Sequence, residues 1–321
     1  MLSLYKQFDY HFAGLSHILI LKDGRLSSSS ADDTLIIYNK ETFKPDLVFR
    51  EHTDYVNYHI QLKNENIVTC SWDETLKIIK LLPDNKYQVI QTLKGHKNVI
   101  DKAIEMEDGK LLTCSDDTTV IVWKKNSNNY FEIEKIIKTS VDDYPNTNII
   151  LIDNNLLLCS SVSDTDLKFF DIKNDYKLMF SFSNVKCCFS RNSIIYIKEK
   201  DLLLVGGTHN NGIYMFKLKK IPHFIGNFFP EIISCVYSII LMDDDNILVG
   251  LEENINNNKV NSIFKFKLDK DNKLINVNKM SNAHKELING LIYWKEKNLI
   301  ASCSKDTKVK LWTINEDEKS K

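Results

Sequence analysis

Serine, histidine and aspartate recur together at four places in this 321-residue chain. The sets are His11, Ser30 and Asp32; His52, Ser71 and Asp73; His96, Ser115 and Asp117; and His284, Ser304 and Asp306. A hydroxyl, an imidazole and a carboxylate are the parts of a serine hydrolase, in which the carboxylate orients the imidazole and the imidazole takes the hydroxyl proton. The spacing argues otherwise. The His-to-Ser separations are 19, 19, 19 and 20 residues. A nucleophile site is one special constellation, whereas four copies at one spacing do the same local work four times. That work is structural: buried polar groups must be hydrogen-bonded, and such a chain satisfies itself while pinning a loop to a strand.

The elements that hold these sets repeat as well. A polar turn followed by a short apolar strand occurs seven times, the strands beginning at Leu26, Ile67, Leu111, Leu156, Leu202, Ile247 and Leu299. The intervals are 41, 44, 45, 46, 45 and 52 residues. Each unit carries short apolar and β-branched runs between turn clusters, which is strand grammar and not that of a helical solenoid. A bulky residue closes an alternating segment eight or so residues past each of those strands: Tyr38, Ile79, Trp123, Phe170, Phe216, Phe266 and Trp312. Each unit then holds four strands, a to d. In the second unit they are expected near 56–62, 67–71, 75–81 and 87–93.

Gly95-His96 with Ser115, Asp117 and Trp123 resembles the structural tetrad of WD-repeat propellers. The resemblance implies that the His before strand a bonds the Asp of the b–c turn and the Ser of strand b, and that this Ser bonds the Trp of strand c. The sets ending in Tyr38, Ile79 and Trp312 match at the same spacing. Only His96 follows a Gly, neither Trp123 nor Trp312 precedes an Asp, and residues 140–283 are assigned by period and not by motif. The expected fold is all-β: a seven-bladed propeller over residues 1–314, with a charged tail at 315–321. Nine residues follow Trp312, too few for a further strand, while Leu2–Phe8 alternates as a strand and ends three residues before His11. The first strand is therefore expected to complete the last blade and remove the open seam.

Composition narrows the function. Lys and Arg number 42 against 43 Asp and Glu, so nucleic acid is not an expected partner. No run approaches the roughly 20 apolar residues of a spanning helix, and the N-terminus does not resemble a secretory signal. A cytoplasmic location is expected, with the nucleus as the alternative. Cys70, Cys114, Cys159 and Cys303 recur at one strand position, which suits packing. No metal or cofactor is expected, since ligand-spaced thiolates, phosphate loops and catalytic strings such as GxSxG are missing. Gly206-Gly207 fits a bulge or close packing, and Asp243-Asp244-Asp245 fits a solvated turn.

The chain is therefore expected to be a non-enzymatic scaffold that binds other proteins or peptides through its loops. Two alternatives are a substrate receptor of a cullin-type ubiquitin ligase, suggested by Phe170-Asp171-Ile172-Lys173, and a propeller hydrolase with an unlocated site. The resemblance implies that the residue before each b–c turn Asp projects onto a ligand face. Those residues are Ala31, Trp72, Asp116 and Lys305, with Tyr55 near the same rim. Trp72, a large ring in a polar turn, is the strongest candidate, because strand c already supplies the packing residue. Its structural alternative is to cap the loop of the neighbouring blade.

Overall fold

The computed structural model describes residues 2–139, 145–161, 166–187, 190–208, 212–219, 222–228, 233–242, 245–255 and 258–314. The 315–321 tail and Asp243-Asp244 lie outside them. The architecture is seven four-stranded antiparallel sheets, the blades of a propeller. Blade one holds β2 (Leu15–Ile20), β3 (Leu26–Ser30), β4 (Leu35–Tyr38) and β5 (Pro45–Phe49). Blade two holds β6 (Val56–Gln61), β7 (Ile67–Ser71), β8 (Thr75–Leu82) and β9 (Lys86–Lys94), within a residue or so of the expected bounds. Blade three holds β10 (Ile100–Glu105), β11 (Leu111–Ser115), β12 (Thr119–Lys125) and β13 (Phe131–Lys138). Blade four holds β14 (Asn146–Ile152), β15 (Leu156–Ser161), β16 (Leu167–Asp171) and β17 (Lys177–Phe182).

Blade five holds β18 (Ile194–Ile197), β19 (Leu202–Gly206), β20 (Ile213–Lys217) and β21 (His223–Phe228). Blade six holds β22 (Ile233–Leu241), β23 (Asn246–Ile255), β24 (Asn258–Leu268) and β25 (Leu274–His284). Blade seven takes β26 (Ile288–Trp294), β27 (Leu299–Ser304), β28 (Val309–Ile314) and, as its outer strand, β1 (Leu2–Phe8). The latch runs antiparallel, with Leu4 opposite Trp312 and Phe8 opposite Val309. Pairing covers the edge that β28 would otherwise present.

Contacts group the described chain into two compact units, Leu19–Val185 and Met1–Ile18 with Lys186–Lys321. In the first, the inner strands of successive blades lie side by side, β6 against β10 and β10 against β14. Two lysines clasp these neighbours. Lys22 Nζ donates to the carbonyls of Leu62 and Lys63, and Lys63 Nζ donates to those of Met106 and Glu107. In the second unit β22 packs on both β18 and β26. There Gly206 allows a close approach, since a Cβ would lie 2.8 Å from Val236 Cβ and 2.9 Å from its carbonyl oxygen.

The core follows the period. Tyr38, Ile79, Trp123, Phe170, Phe216, Phe266 and Trp312 are all buried on the third strands. In blades four to six the register puts Cys159, Val205 and Val249 two residues from the partners of Phe170, Phe216 and Phe266, so apolar packing stands where other blades carry a hydroxyl. Blade six is the longest, with β23 to β25 of 10, 11 and 11 residues. Its extra ladder, down to Ile255 opposite Asn258, accounts for the 52-residue interval.

Candidate functional site

The polar sets fall into two groups of hydroxyls with different tasks. In blade seven Trp312 Nε1 donates to Ser302 Oγ over 2.8 Å, and Ser302 Oγ lies 2.7 Å from His284 Nε2. His284 Nδ1 is 3.0 Å from Asp306 Oδ2. An indole N–H only donates, so the serine accepts from Trp312 and links the indole to the imidazole, whose other nitrogen faces the carboxylate. Blade three repeats the chain: Trp123 Nε1 to Thr113 Oγ1 at 2.9 Å, Thr113 to His96 Nε2 at 2.8 Å, and His96 Nδ1 to Asp117 Oδ2 at 2.9 Å. Blade two keeps His52 between Thr69 and Asp73, at 2.7 Å to each, with Ile79 in place of an indole. In blade one Tyr38 Oη pairs with Ser28 Oγ at 2.7 Å, and His11 is buried.

The bridging hydroxyl is therefore Thr69, Thr113 and Ser302, with Ser28 in its place in blade one, and not Ser71, Ser115, Ser304 or Ser30. Register explains the correction. Trp123 pairs with Leu111, which puts Thr113 one alternation away and Ser115 two, about 13 Å along the strand and out of reach of the indole. The outer serines instead hold the turn. Ser115 Oγ accepts the Asp117 amide at 3.0 Å and donates to the Asn98 carbonyl at 3.2 Å. Ser71 and Ser304 make the same two bonds with Asp73 and Asp54, and with Asp306 and Glu286. Ser30 accepts the Asp32 amide. In these blades the bridging hydroxyl lies ten residues before the bulky residue and not at the strand end.

Electrostatics fit this scaffold role. Burial raises the Asp73, Asp117 and Asp306 carboxyls, but hydrogen bonds from the facing histidines and from backbone amides outweigh it, and all three fall below the usual range, Asp306 to about 2. Burial lowers His284. Burial also pushes the Cys114, Cys159 and Cys303 thiols up, which keeps them protonated. The bridging hydroxyls Thr69, Thr113 and Ser302 are fully buried, and Ser71, Ser115 and Ser304 bond the backbone of their own turns. Asp171 is occupied in its own turn, where its Oδ1 accepts the amides of Lys173 and Asn174.

The b–c turns present a different surface. The Trp72 amide donates to the Tyr55 carbonyl at 2.9 Å, and the same bond links Asp116 to Val99 and Lys305 to Leu287, each at 3.0 Å. This backbone tie turns the residue before the Asp outward. Trp72 is 42% exposed, while Trp123, Trp294 and Trp312 are at most 3% exposed. The Trp72 ring lies on Tyr55 of its own blade, centroids 4.7 Å apart and tilted by 40°. Ala31 and Asp116 are half-buried. Lys305, in the other compact unit, is exposed beside Gly14, whose Cα–H faces the Lys305 backbone.

The WD domain, G-beta repeat model matches residues 87–124 and 276–313. Each match runs from the outer strand of one blade through the third strand of the next. These are the stretches that hold the two complete chains from aspartate to tryptophan. No curated protein matches the chain. Among the described residues no helix is long and apolar enough to cross a membrane. The WD-repeat propeller is commonly a protein-interaction scaffold and is generally non-enzymatic. Two matched repeats and seven four-stranded blades together support a WD-repeat propeller.

Proposed function

We propose that this chain is an intracellular scaffold that binds partner proteins or peptides at the b–c turn surface of blade two. The observation that carries the reading is the exposed Tyr55–Trp72 pair. Three of the four tryptophans serve the core, and one is held out of it by a backbone hydrogen bond to the residue that carries its stacking partner. Two rings already packed against each other lose little entropy when a partner covers them, which is why Trp and Tyr dominate binding hot spots. Asp116, at the equivalent turn position of blade three, belongs to the proposed surface, and Lys305 offers the same kind of contact from blade seven.

The test is quantitative capture from cells with tagged wild-type chain and with Trp72→Ala, beside thermal melts of both. The reading expects partners to be lost with the melting temperature nearly unchanged. Equal capture by the two proteins removes the site.

A further inference from the structure

We infer that the Tyr55–Trp72 surface receives a cationic side chain, arginine or lysine, from a basic segment of the partner. This rests on the binding role proposed above and names the chemistry of the ligand. Both rings are partly exposed, Tyr55 by 39% and Trp72 by 42%, and an aromatic ring attracts a cation seated over its face. Carboxylates border them. Asp54 precedes Tyr55, and its Oδ1 accepts the Tyr55 amide at 2.8 Å. Asp33, in the b–c turn of blade one, lies within electrostatic reach of Asp54, Asp32 and Asp73, opposed by His52. Burial first, then those carboxylates, raise the Asp33 carboxyl above its ordinary value. A guanidinium or ammonium on the rings relieves that repulsion. An acidic segment adds to it, and a purely apolar one covers the carboxylates without pairing them.

Two nearby carboxylates are committed to their own turns. Asp73 holds His52, Thr53 and Thr75, and Asp32 holds Thr34. Two lysines of blade two, Lys77 and Lys94, line a separate hollow with Glu51, Thr53 and Thr92, which does not include Tyr55 or Trp72. Among the described residues no group of three or more His, Cys, Asp or Glu side chains is arranged to hold a metal ion.

The test is a synthetic array of basic, neutral and acidic peptides, probed with the full chain as wild type, as Trp72→Ala and as the double variant Asp33→Asn, Asp54→Asn. Asparagine tolerates the left-handed backbone of Asp33, φ 65°, so the double variant removes charge and not shape. An Arg-Gly-Arg-Gly-Arg peptide and its citrulline counterpart are then titrated by tryptophan fluorescence, where the exposed Trp72 carries the response. The expected result is retention of basic peptides, weaker by on the order of tenfold in both variants, with citrulline as weak as the variants. Basic peptides held equally by the asparagine variant, or citrulline bound as well as arginine, overturn the inference. If Trp72→Ala instead loses neutral or acidic peptides, the binding site stands and its cationic ligand falls. If no peptide distinguishes Trp72→Ala from wild type, both fall.

Discussion

At the scale of single residues, the histidine in the loop before strand a is the keystone of each polar set. His96→Ala takes from Thr113 and Asp117 the imidazole that links them in a protected place and is expected to cost roughly 1–3 kcal/mol in chemical denaturation. The identity of the bridging hydroxyl is open to a sharper measurement. In a double-mutant cycle His96→Ala and Thr113→Val couple by about 1 kcal/mol, because they share a hydrogen bond, whereas His96→Ala and Ser115→Ala add. Additivity for the first pair would contradict the network. Acid acts on the same groups. The folded carboxyls of Asp73, Asp117 and Asp306 lie below the unfolded value of about 3.9, so their contribution is complete above that pH and is lost as pH falls toward about 2, the value for Asp306. His284 is also depressed, and protonation of the unfolded chain below about pH 6.5 starts the decline earlier. Urea midpoints measured from pH 7 to pH 2 should fall throughout, and Asp306→Asn should flatten the acid end. A wild-type midpoint constant across that range would contradict the assignment. The recurrence of His, Asp and Trp was legible in the sequence. The choice of hydroxyl was not, because Thr-Cys-Ser and Ser-Cys-Ser offer two candidates on one strand face, and only the register of Trp against Leu111 or Ile300 decides between them.

At the scale of elements, the period carried the fold even where the motif failed. Blades four to six lack the histidine, yet Phe170, Phe216 and Phe266 fill the place of tryptophan, and apolar neighbours replace its hydroxyl partner. The lengthening of blade six was hidden. Glu252, Glu253 and the asparagines around them look like a polar loop, but backbone ladder bonds do not depend on side-chain polarity. Glu253 is buried only because Lys279 reaches its Oε1 at 2.7 Å and Ser262 its Oε2 at 2.6 Å. The latch belongs to this scale as well. Removal of residues 1–8 uncovers the edge of β28 and takes away the buried side chains of Leu2 and Phe8. It should lower the melting temperature by at least about 5 °C and promote association visible by light scattering. A truncated chain as stable and monodisperse as the full one would show that β1 adds nothing to blade seven.

At the scale of the whole molecule, a stable repeated scaffold frees its turns for recognition, since the polar chains that hold each turn are internal and the residue beside each aspartate is turned outward. That separation lets stability and binding be changed independently. It was partly legible: Trp72 stands out in the sequence as a large ring in a polar turn, but its contact with Tyr55 and the nearby Asp33 arise from tertiary placement across two blades. The most direct test of the central claim is site-specific photo-crosslinking in cells. A benzoylphenylalanine at position 55, beside Trp72, is compared with one at position 178 on the exposed outer strand of blade four. The account predicts discrete covalent adducts to partner proteins from position 55. Adducts from position 178 with none from position 55 would contradict it.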